Sequence, residues 1–372
     1  MEEKAVLKQV GRNFGIDILR MITMVMVIVL HVIGKGTLVL QGFDQVPTSA
    51  YAYLVLQIIC GSGVNIYALV SGYVGYGRKA RFANLVYLWL RVLYYAVIIT
   101  VIFYIAQLRE FTWIGLIKSF FPTIFNFWWY WTAYFALCLF APLLNLGLER
   151  INKRTGIAIF IAFTIVFSVL PVFFVRTHIF GLETGLSVIW LMALYVIGAI
   201  IKKFELFSKV KTWILVLIYI ASVGVIFGTQ ILFDAHGFTI MGADVNGSYF
   251  HNYVSPFTLI SAIALMLIFS RIDVKNKPLQ KVIGFVGPSV FSAYLITEHY
   301  FMVSEIIREK YTFVSNYNQF LGALTLLAIS IGIFVGCIIV DIPRELLFKY
   351  TKLKKHLNSL EDRLLSPKEE NN

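Results

Sequence analysis

Charged residues are scarce in this sequence of 372 residues. Asp, Glu, Lys and Arg together make up 14% of the chain, whereas about a quarter is usual for a soluble domain. Hydrophobic residues make up 59%, and the mean hydropathy is +0.79. A chain with so few charges cannot cover a core of this size with polar surface. The composition therefore predicts a membrane protein with little soluble mass.

Cysteine is also rare. Cys60, Cys138 and Cys337 all lie inside apolar runs and show no CxxC spacing, which excludes a disulfide framework and a zinc site of the usual pattern. The first apolar run has no small-residue cleavage site after it. We therefore expect it to be retained as a helix and not removed as a signal peptide.

Apolar windows of about 20 residues recur along the chain, and each is long enough to cross a bilayer as a helix. They predict an all-α bundle of about ten transmembrane helices. The predicted spans are 14–34, 51–75, 84–106, 128–147, 156–175, 186–201, 212–233, 253–270, 284–306 and 319–341.

The basic residues predict the orientation of this bundle. If both termini and the even-numbered loops are cytoplasmic, 24 of the 32 Lys and Arg residues lie on that side and six on the other. The remaining two, Arg20 and Arg91, lie within or at the edge of spans. Such a bias is the positive-inside rule. The net charge of +12 then reflects topology and contact with anionic lipid, and it argues against a nucleic-acid partner.

The sequence predicts one membrane domain, residues 1–345, followed by a cytoplasmic tail, residues 346–372. The tail is polar and amphipathic, so we expect it to begin as a helix on the inner leaflet and to end disordered. No second domain, long linker or low-complexity segment is evident.

Three ionisable residues interrupt the first span. On an α-helix, Asp17, Arg20 and His31 fall within a 60° arc, and Arg20 and His31 are about 16 Å apart along the axis. Ionisable groups at membrane depth usually mark a pathway or a site. The alternative is an Asp17–Arg20 pair at the lipid headgroups and one buried histidine whose hydrogen bonds are satisfied.

Further basic residues gather after the second span, in the stretch GRKARFANLVYLWLR. The first three of them fit the positive-inside rule alone, but Arg91 lies two turns into the third span. An Arg and Lys cluster at the inner mouth suits an anionic, phosphate-bearing ligand from the cytoplasm. The candidate residues are Arg78, Lys79, Arg81 and Arg91.

Two other places carry titratable side chains. Glu298 and His299 lie in the outer part of the ninth span, at the depth predicted for His31, where they form either a functional pair or an interfacial, solvated one. The outer loop after the seventh span is either a solvated loop or part of an acceptor site. Its titratable residues are Asp234, His236, Asp244 and His251.

Together these features resemble the acyltransferase-3 family of integral membrane acyltransferases, and the resemblance covers nearly the whole chain. Arg20 and His31 have the family's spacing in GIDILRMITMVMVIVLHV. NIYALVSGYV precedes a basic loop as it does in the family. Three more stretches follow in the family's order: WYWTAYFALCLFAPLLN, WLMALYVIGAIIKKF and FSAYLITEHYF.

The resemblance implies a ten-helix bundle in the bacterial plasma membrane that moves an acyl group, usually acetyl from acetyl-CoA, to a cell-surface polysaccharide or lipid-linked glycan. No metal is implied. His31 is the predicted catalytic base, because imidazole titrates near neutral pH and a sugar hydroxyl must lose its proton as it attacks. Glu298 is the predicted partner that orients it. Arg20, Arg78, Lys79, Arg81 and Arg91 are the predicted coenzyme-binding residues.

Two other functions stay open. A transporter or flippase for a lipid-linked or small polar solute would show paired broken helices and internal repeats. A non-catalytic subunit of a glycan assembly complex would use Arg20 and His31 only structurally. Acyl transfer from labelled acetyl-CoA separates all three functions.

Overall fold

The computed structural model describes residues 12–41, 45–78, 81–174 and 178–365. The predicted all-α class is confirmed, since 78% of the residues are helical and 2% are in strands. Within a bilayer, a helix satisfies all of its backbone hydrogen bonds internally, so long apolar runs have few alternatives.

Eight helices in the described ranges are long and apolar enough to span a membrane. A ninth span arises if the two helical segments Ile179–Gly185 and Val188–Phe204, bent by 81°, are counted together. The predicted eighth span is an apolar helix of 15 residues, Pro256–Ser270, which is shorter than the usual crossing length. The eight are Phe14–Gly36, Thr48–Gly75, Phe82–Ile105, Trp129–Arg150, Lys153–Phe173, Thr212–His236, Lys277–Thr297 and Gln319–Tyr350.

The chain forms two compact units, each assembled from three separate stretches of sequence. Unit 1 consists of the described residues of Met1–Thr23, Ile58–Lys79 and Phe140–Gly287. Unit 2 consists of those of Met24–Gln57, Ala80–Leu139 and Pro288–Asn372. Three helices have residues in both units: α1 (Phe14–Gly36), α2 (Tyr51–Gly61) and α6 (Trp129–Arg150).

Unit 1 packs its helices closely where small residues meet. A Cβ atom on Gly72 would clash with the backbone of Tyr195, and one on Gly198 would clash with that of Leu69. Small residues let neighbouring helices approach closely, and Gly72 in the second span has this role. The elements of unit 1 are α3 (Gly63–Gly75), α7 (Lys153–Thr164), α8 (Leu170–Phe173), α9 (Val188–Phe204), α10 (Thr212–His236), β1 (Phe238–Ile240), β2 (Ala243–Val245), α11 (Pro256–Ser270) and α12 (Lys277–Val286).

A short hairpin follows α10 in unit 1. Strands β1 and β2 are antiparallel, with Phe238 opposite Val245. The two turn residues, Met241 and Gly242, have φ values of 49° and 80°. Two-residue hairpin turns of the primed types need such positive φ values, which glycine adopts freely.

Unit 2 holds the helices that carry the site. Helix α4 contacts both α13 and the C-terminal helix, and α13 also packs on α15. The capping side chains of Thr112 and Asn318 accept backbone N–H groups at the starts of α5 and α15. The elements are α4 (Phe82–Ile105), α5 (Trp113–Phe120), α13 (Val290–Thr297), α14 (Tyr300–Met302), α15 (Gln319–Tyr350) and α16 (Leu353–Leu365).

The predicted tail is helical over most of its length. Residue 345, its predicted boundary, lies inside α15, and α16 follows two residues after α15 ends. The predicted disorder at residues 366–372 lies outside the described residues.

Candidate functional site

The structure brings His31 and Glu298 together in unit 2. His31 lies on α1, and Glu298 follows the last residue of α13. Nδ1 of His31 lies 3.3 Å from Oε1 of Glu298, and their side chains are 15% and 11% exposed. The pair has the distance of a hydrogen bond but not its alignment. Catalytic hydrogen bonds often tighten only when the substrate is bound.

His299 differs from its neighbour Glu298 because its ring is buried and both of its nitrogens have nearby partners. Its Nδ1 accepts the backbone N–H of Phe301 at 3.3 Å, which caps the short helix α14. Its Nε2 lies 3.5 Å from Oγ1 of Thr100. Both ring nitrogens therefore have local partners, and it is the carboxylate of Glu298, not His299, that lies beside His31.

Lys35 completes this cluster, and the sequence interpretation gave it no role. Its Nζ lies 2.5 Å from Oε1 of Glu298, the same oxygen that lies near His31. Lys35 follows His31 by four residues, and side chains four apart share one face of a helix. That spacing was the available signal. We call His31, Lys35 and Glu298 the histidine cluster.

Arg91, one of the predicted coenzyme-binding cations, is buried and, in the part of the chain that the structure describes, has no carboxylate beside it. Its side chain is on α4, and the residue is 6% exposed. Nη1 donates to the backbone oxygen of Pro288 at 2.6 Å, the guanidinium lies over the ring of Tyr87, and Nε has no hydrogen-bond partner. Among the described residues, no carboxylate lies within 4.0 Å of it. A buried cation in this state is suited to an anionic ligand.

Helices α4 and α13 connect Arg91 with the histidine cluster. Arg91 contacts Pro288 just before α13, and Thr100 on α4 faces His299 just after it. These two contacts show that the helices run in the same direction. Glu298 follows Pro288 by ten positions, which separates the two places by about 15 Å at 1.5 Å per residue.

A second buried cation, Arg344, was assigned by the sequence only to the cytoplasmic basic residues. Its side chain is fully buried on α15 and binds both oxygens of Asp341, including Nε to Oδ1 at 2.8 Å. Its Nη1 donates to Glu345 at 2.6 Å, and Tyr95 donates to Asp341. We call Tyr95, Asp341, Arg344 and Glu345 the arginine cluster.

Arg81 contacts the C-terminal helix. Its guanidinium pairs with Asp362, and its Nε lies 3.8 Å from Glu361, both on α16. Glu361 also accepts the backbone N–H groups of Phe82 and Ala83, at 2.9 and 3.3 Å. Carboxylates of the tail thus occupy the start of α4, where unpaired N–H groups attract negative charge.

The other predicted coenzyme residues lie elsewhere. Arg20, in unit 1, binds Asp17 at 3.2 Å, and Arg12 binds the other oxygen of that carboxylate at 2.5 Å. This is the pair that the sequence offered as its alternative interpretation. Arg78, also in unit 1, is exposed, and Lys79 lies outside the described residues.

Three of the four outer-loop residues have contacts within the loop or with its preceding helix. Asp234 accepts the backbone N–H of Gly247, and Asp244 accepts the hydroxyl of Thr239 within the hairpin. Nδ1 of His236 lies 3.3 Å from the backbone oxygen of Leu232 in its own helix. These contacts order the loop, and within the described ranges no group of three His, Cys, Asp or Glu residues is placed to hold a metal ion.

Comparisons with known proteins identify the family of the chain. The family model described as an acyltransferase domain, that of acyltransferase-3, matches residues 13–342. No curated protein and no solved structure matches the chain. The matched segment includes His31, Arg91 and Glu298, and it ends within α15, two residues before Arg344. Because it covers nearly the whole chain, the chain belongs to the acyltransferase-3 family and is a multi-pass membrane acyltransferase.

Proposed function

We propose that this protein is an O-acyltransferase that moves an acetyl group from cytoplasmic acetyl-CoA to a hydroxyl of a surface or exported glycan. The bacterial plasma membrane is the proposed location. The observation that supports this most is the 3.3 Å approach of His31 to Glu298 in a chain of this family. A histidine oriented by a carboxylate is the usual device for removing a proton from a poor hydroxyl nucleophile.

The proposed reaction needs two proton transfers, one to His31 and one from it. Nε2 of His31 takes the proton of the sugar hydroxyl as its oxygen forms a bond with the acyl carbon. The carbon–sulfur bond of the thioester then breaks, and the same proton passes to the coenzyme thiolate. Glu298 stabilises the imidazolium that exists between these steps. The acyl group leaves sulfur and ends on oxygen, so no oxidant or further reactant is needed.

Arg91 is the proposed anchor for the coenzyme phosphates. It is buried and lacks a carboxylate, and a guanidinium offers the fixed fork of donors that phosphate geometry favours. The pantetheine arm would extend along α13 toward the histidine cluster. Arg81 is a secondary candidate, because a phosphate would first have to displace Glu361 and Asp362. Arg20 and Arg78, in unit 1, remain candidates, and Lys79 remains one on the sequence alone.

This direction of transfer requires both termini in the cytoplasm. The support is the distribution of basic residues, 24 against six. A cysteine introduced at exposed His236 should react with an impermeant maleimide added to intact spheroplasts, in a background from which the native cysteines are removed. Labelling that requires membrane lysis would place the loop inside and reject the proposed direction.

The transporter alternative retains one supporting observation. One helix pair, Ile179–Gly185 with Val188–Phe204, is bent by 81°, as in a broken span. Transporters of the inverted-repeat type have such breaks in pairs, and within the described ranges this is the one pair bent in this way.

Purified protein in proteoliposomes tests the proposed function directly. With acetyl-CoA labelled in the acetyl group and an acceptor glycan supplied, we expect label to be released or to appear on the glycan. Solute uptake without consumption of acetyl-CoA would support the transporter instead. Absence of both activities would support a non-catalytic subunit.

A further inference from the structure

The ammonium of Lys35 contacts the same carboxylate oxygen of Glu298 that lies beside the proposed base, His31. Oε1 of Glu298 is 2.5 Å from Nζ of Lys35 and 3.3 Å from Nδ1 of His31. The carboxylate side chain is 11% exposed, whereas that of Lys35 is 38% exposed. The contact is therefore more than a surface ion pair, since one partner is largely shielded from water.

The backbone around Lys35 is held in place by a neighbouring segment. Its carbonyl oxygen accepts the N–H of Glu309 at 3.0 Å, and that of Gly36 accepts the N–H of Tyr311 at 2.9 Å. A Cβ atom at Gly36 would come too close to the ring of Tyr311, so this approach requires glycine. The end of α1 is thus bonded outside its own helix, which fixes the point from which the lysine side chain extends.

The charged groups that face the His31 ring are few. Glu298 reaches it from the end of α13, and Lys35 from the same helix, α1. The segment 308–310 adds Arg308, Glu309 and Lys310, but these residues are exposed, and Glu309 approaches Lys35 through its backbone. Among these groups, Lys35 is the cation that binds the carboxylate of Glu298.

We propose that Lys35 is a positioning residue that acts on His31 through Glu298. Its ammonium binds Oε1 and holds that oxygen opposite Nδ1. With that oxygen in place, the neutral imidazole carries its proton on Nδ1 and leaves Nε2 free to accept one. The inference rests on the proposed function, in which Nε2 takes the hydroxyl proton.

The competing role for Lys35 is structural: it would only secure the end of α1. That role predicts lost stability but no change in the histidine tautomer. It also predicts that losses from Lys35 and Glu298 variants add, because the lysine would not act through the carboxylate.

The kinetic experiment uses Lys35→Met, which removes the charge and nearly keeps the length, and Lys35→Arg, which keeps the charge. Lys310→Met, the same change at an exposed lysine, is the matched control. We expect Lys35→Met to lower kcat about 10- to 100-fold, the usual effect of losing a charged hydrogen bond. We expect KM for acetyl-CoA to be unchanged, Lys35→Arg to recover most of kcat, and Lys310→Met to behave as wild type.

The coupling experiment repeats Lys35→Met in a Glu298→Gln background. If Lys35 acts through Glu298, the second change should lower kcat by less than about threefold. The full loss in both backgrounds, or a wild-type kcat for Lys35→Met alone, would overturn the proposal.

A measurement independent of activity separates this proposal from the proposed function. The ¹⁵N chemical shifts of labelled histidine, with His31 assigned by His31→Gln, report which ring nitrogen carries the proton. We expect the Nδ1–H form in wild type and in Lys310→Met, and a mixture of forms in Lys35→Met. An unchanged His31 signal in Lys35→Met would overturn the proposal even if acyl transfer is confirmed. The expected change would sustain it even if the transferred group or the acceptor is another.

Discussion

The arginine cluster and the histidine cluster both pair a carboxylate with basic side chains, but they differ in how fully the carboxylate oxygens are bonded and buried. In the arginine cluster, both oxygens of Asp341 bind Arg344, and both side chains are 0% exposed. In the histidine cluster, one oxygen of Glu298 faces two cationic or titratable groups, and all three side chains keep some exposure, between 11% and 38%. Both clusters lie in unit 2, so the difference is not one of fold.

The difference separates structural from chemical use of charge. In the arginine cluster each guanidinium nitrogen of Arg344 already has a carboxylate partner. Removing one member of such a buried pair leaves an uncompensated charge. In the histidine cluster, Lys35 and His31 both approach one oxygen of Glu298, and the imidazole does not form an aligned hydrogen bond with it. This carboxylate can still change its partners. Arg91 extends this comparison, since it is nearly as buried as Arg344, at 6% against 0% exposed, but lacks the carboxylate that Arg344 binds.

Arg344→Met tests the structural role of the arginine cluster. It leaves the carboxylate of Asp341 buried without its cation, which typically costs about 3–5 kcal/mol. We expect that loss in the free energy of unfolding, measured by denaturant titration in mild detergent. The matched change Glu345→Gln removes a partner that is 41% exposed and should cost less than about 1 kcal/mol. Equal effects of the two variants would break the distinction between them.

Arg91→Lys tests whether the buried arginine without a carboxylate serves a ligand. Lysine keeps the charge but not the planar fork, so we expect acetyl-CoA to bind about 10- to 100-fold more weakly while the protein accumulates normally. Equilibrium binding of labelled coenzyme to purified protein measures this. Arg109→Lys, at an arginine that already pairs with Glu305, is the control and should bind as wild type. Unchanged affinity in Arg91→Lys would reject the anchor.

Releasing α16 from Arg81 extends the comparison to a third arginine. The double variant Glu361→Gln, Asp362→Asn removes the carboxylates that hold Arg81 and the start of α4. Asp362 is 61% exposed, so its ion pair with Arg81 should be worth about 1 kcal/mol or less. We expect faster proteolysis of the tail and, if Arg81 then reaches the coenzyme, affinity improved by at most about fivefold.

The opposite result would be equally informative for Arg81. If the tail of the double variant is cleaved faster but acetyl-CoA affinity stays constant, the arginine serves only to dock α16. Arg81→Gln is the reciprocal change and should release the tail to a similar degree.

The sequence predicted the helices well because bilayer thickness and backbone hydrogen bonding leave few alternatives. His31 was identifiable because an ionisable residue in an apolar run is conspicuous. Glu298 followed from its estimated depth, and the structure places it beside His31, although its role remains a prediction. The bend before Val188 and the 15 residues of Pro256–Ser270 depend on packing, which hydropathy does not report.

The partners of the charged residues were much harder to predict. Arg344 looked like one more cytoplasmic cation, since the positive-inside rule counts charges without showing which are buried. Lys35 was counted as an outer-face cation although its spacing from His31 was visible. The contact of Arg81 with α16 joins residues 281 apart in the chain, and no local pattern specifies such a contact.

The most direct test of the account compares His31 with His299 in acyl transfer. His31→Gln removes the proposed base, and His299→Asn keeps a side chain that can cap α14. With both variants purified at wild-type levels and given labelled acetyl-CoA and acceptor, we expect His31→Gln to be slower by about 10²–10⁴-fold. We expect His299→Asn to stay within a few-fold of wild type. Transfer by His31→Gln at a near wild-type rate would contradict the account.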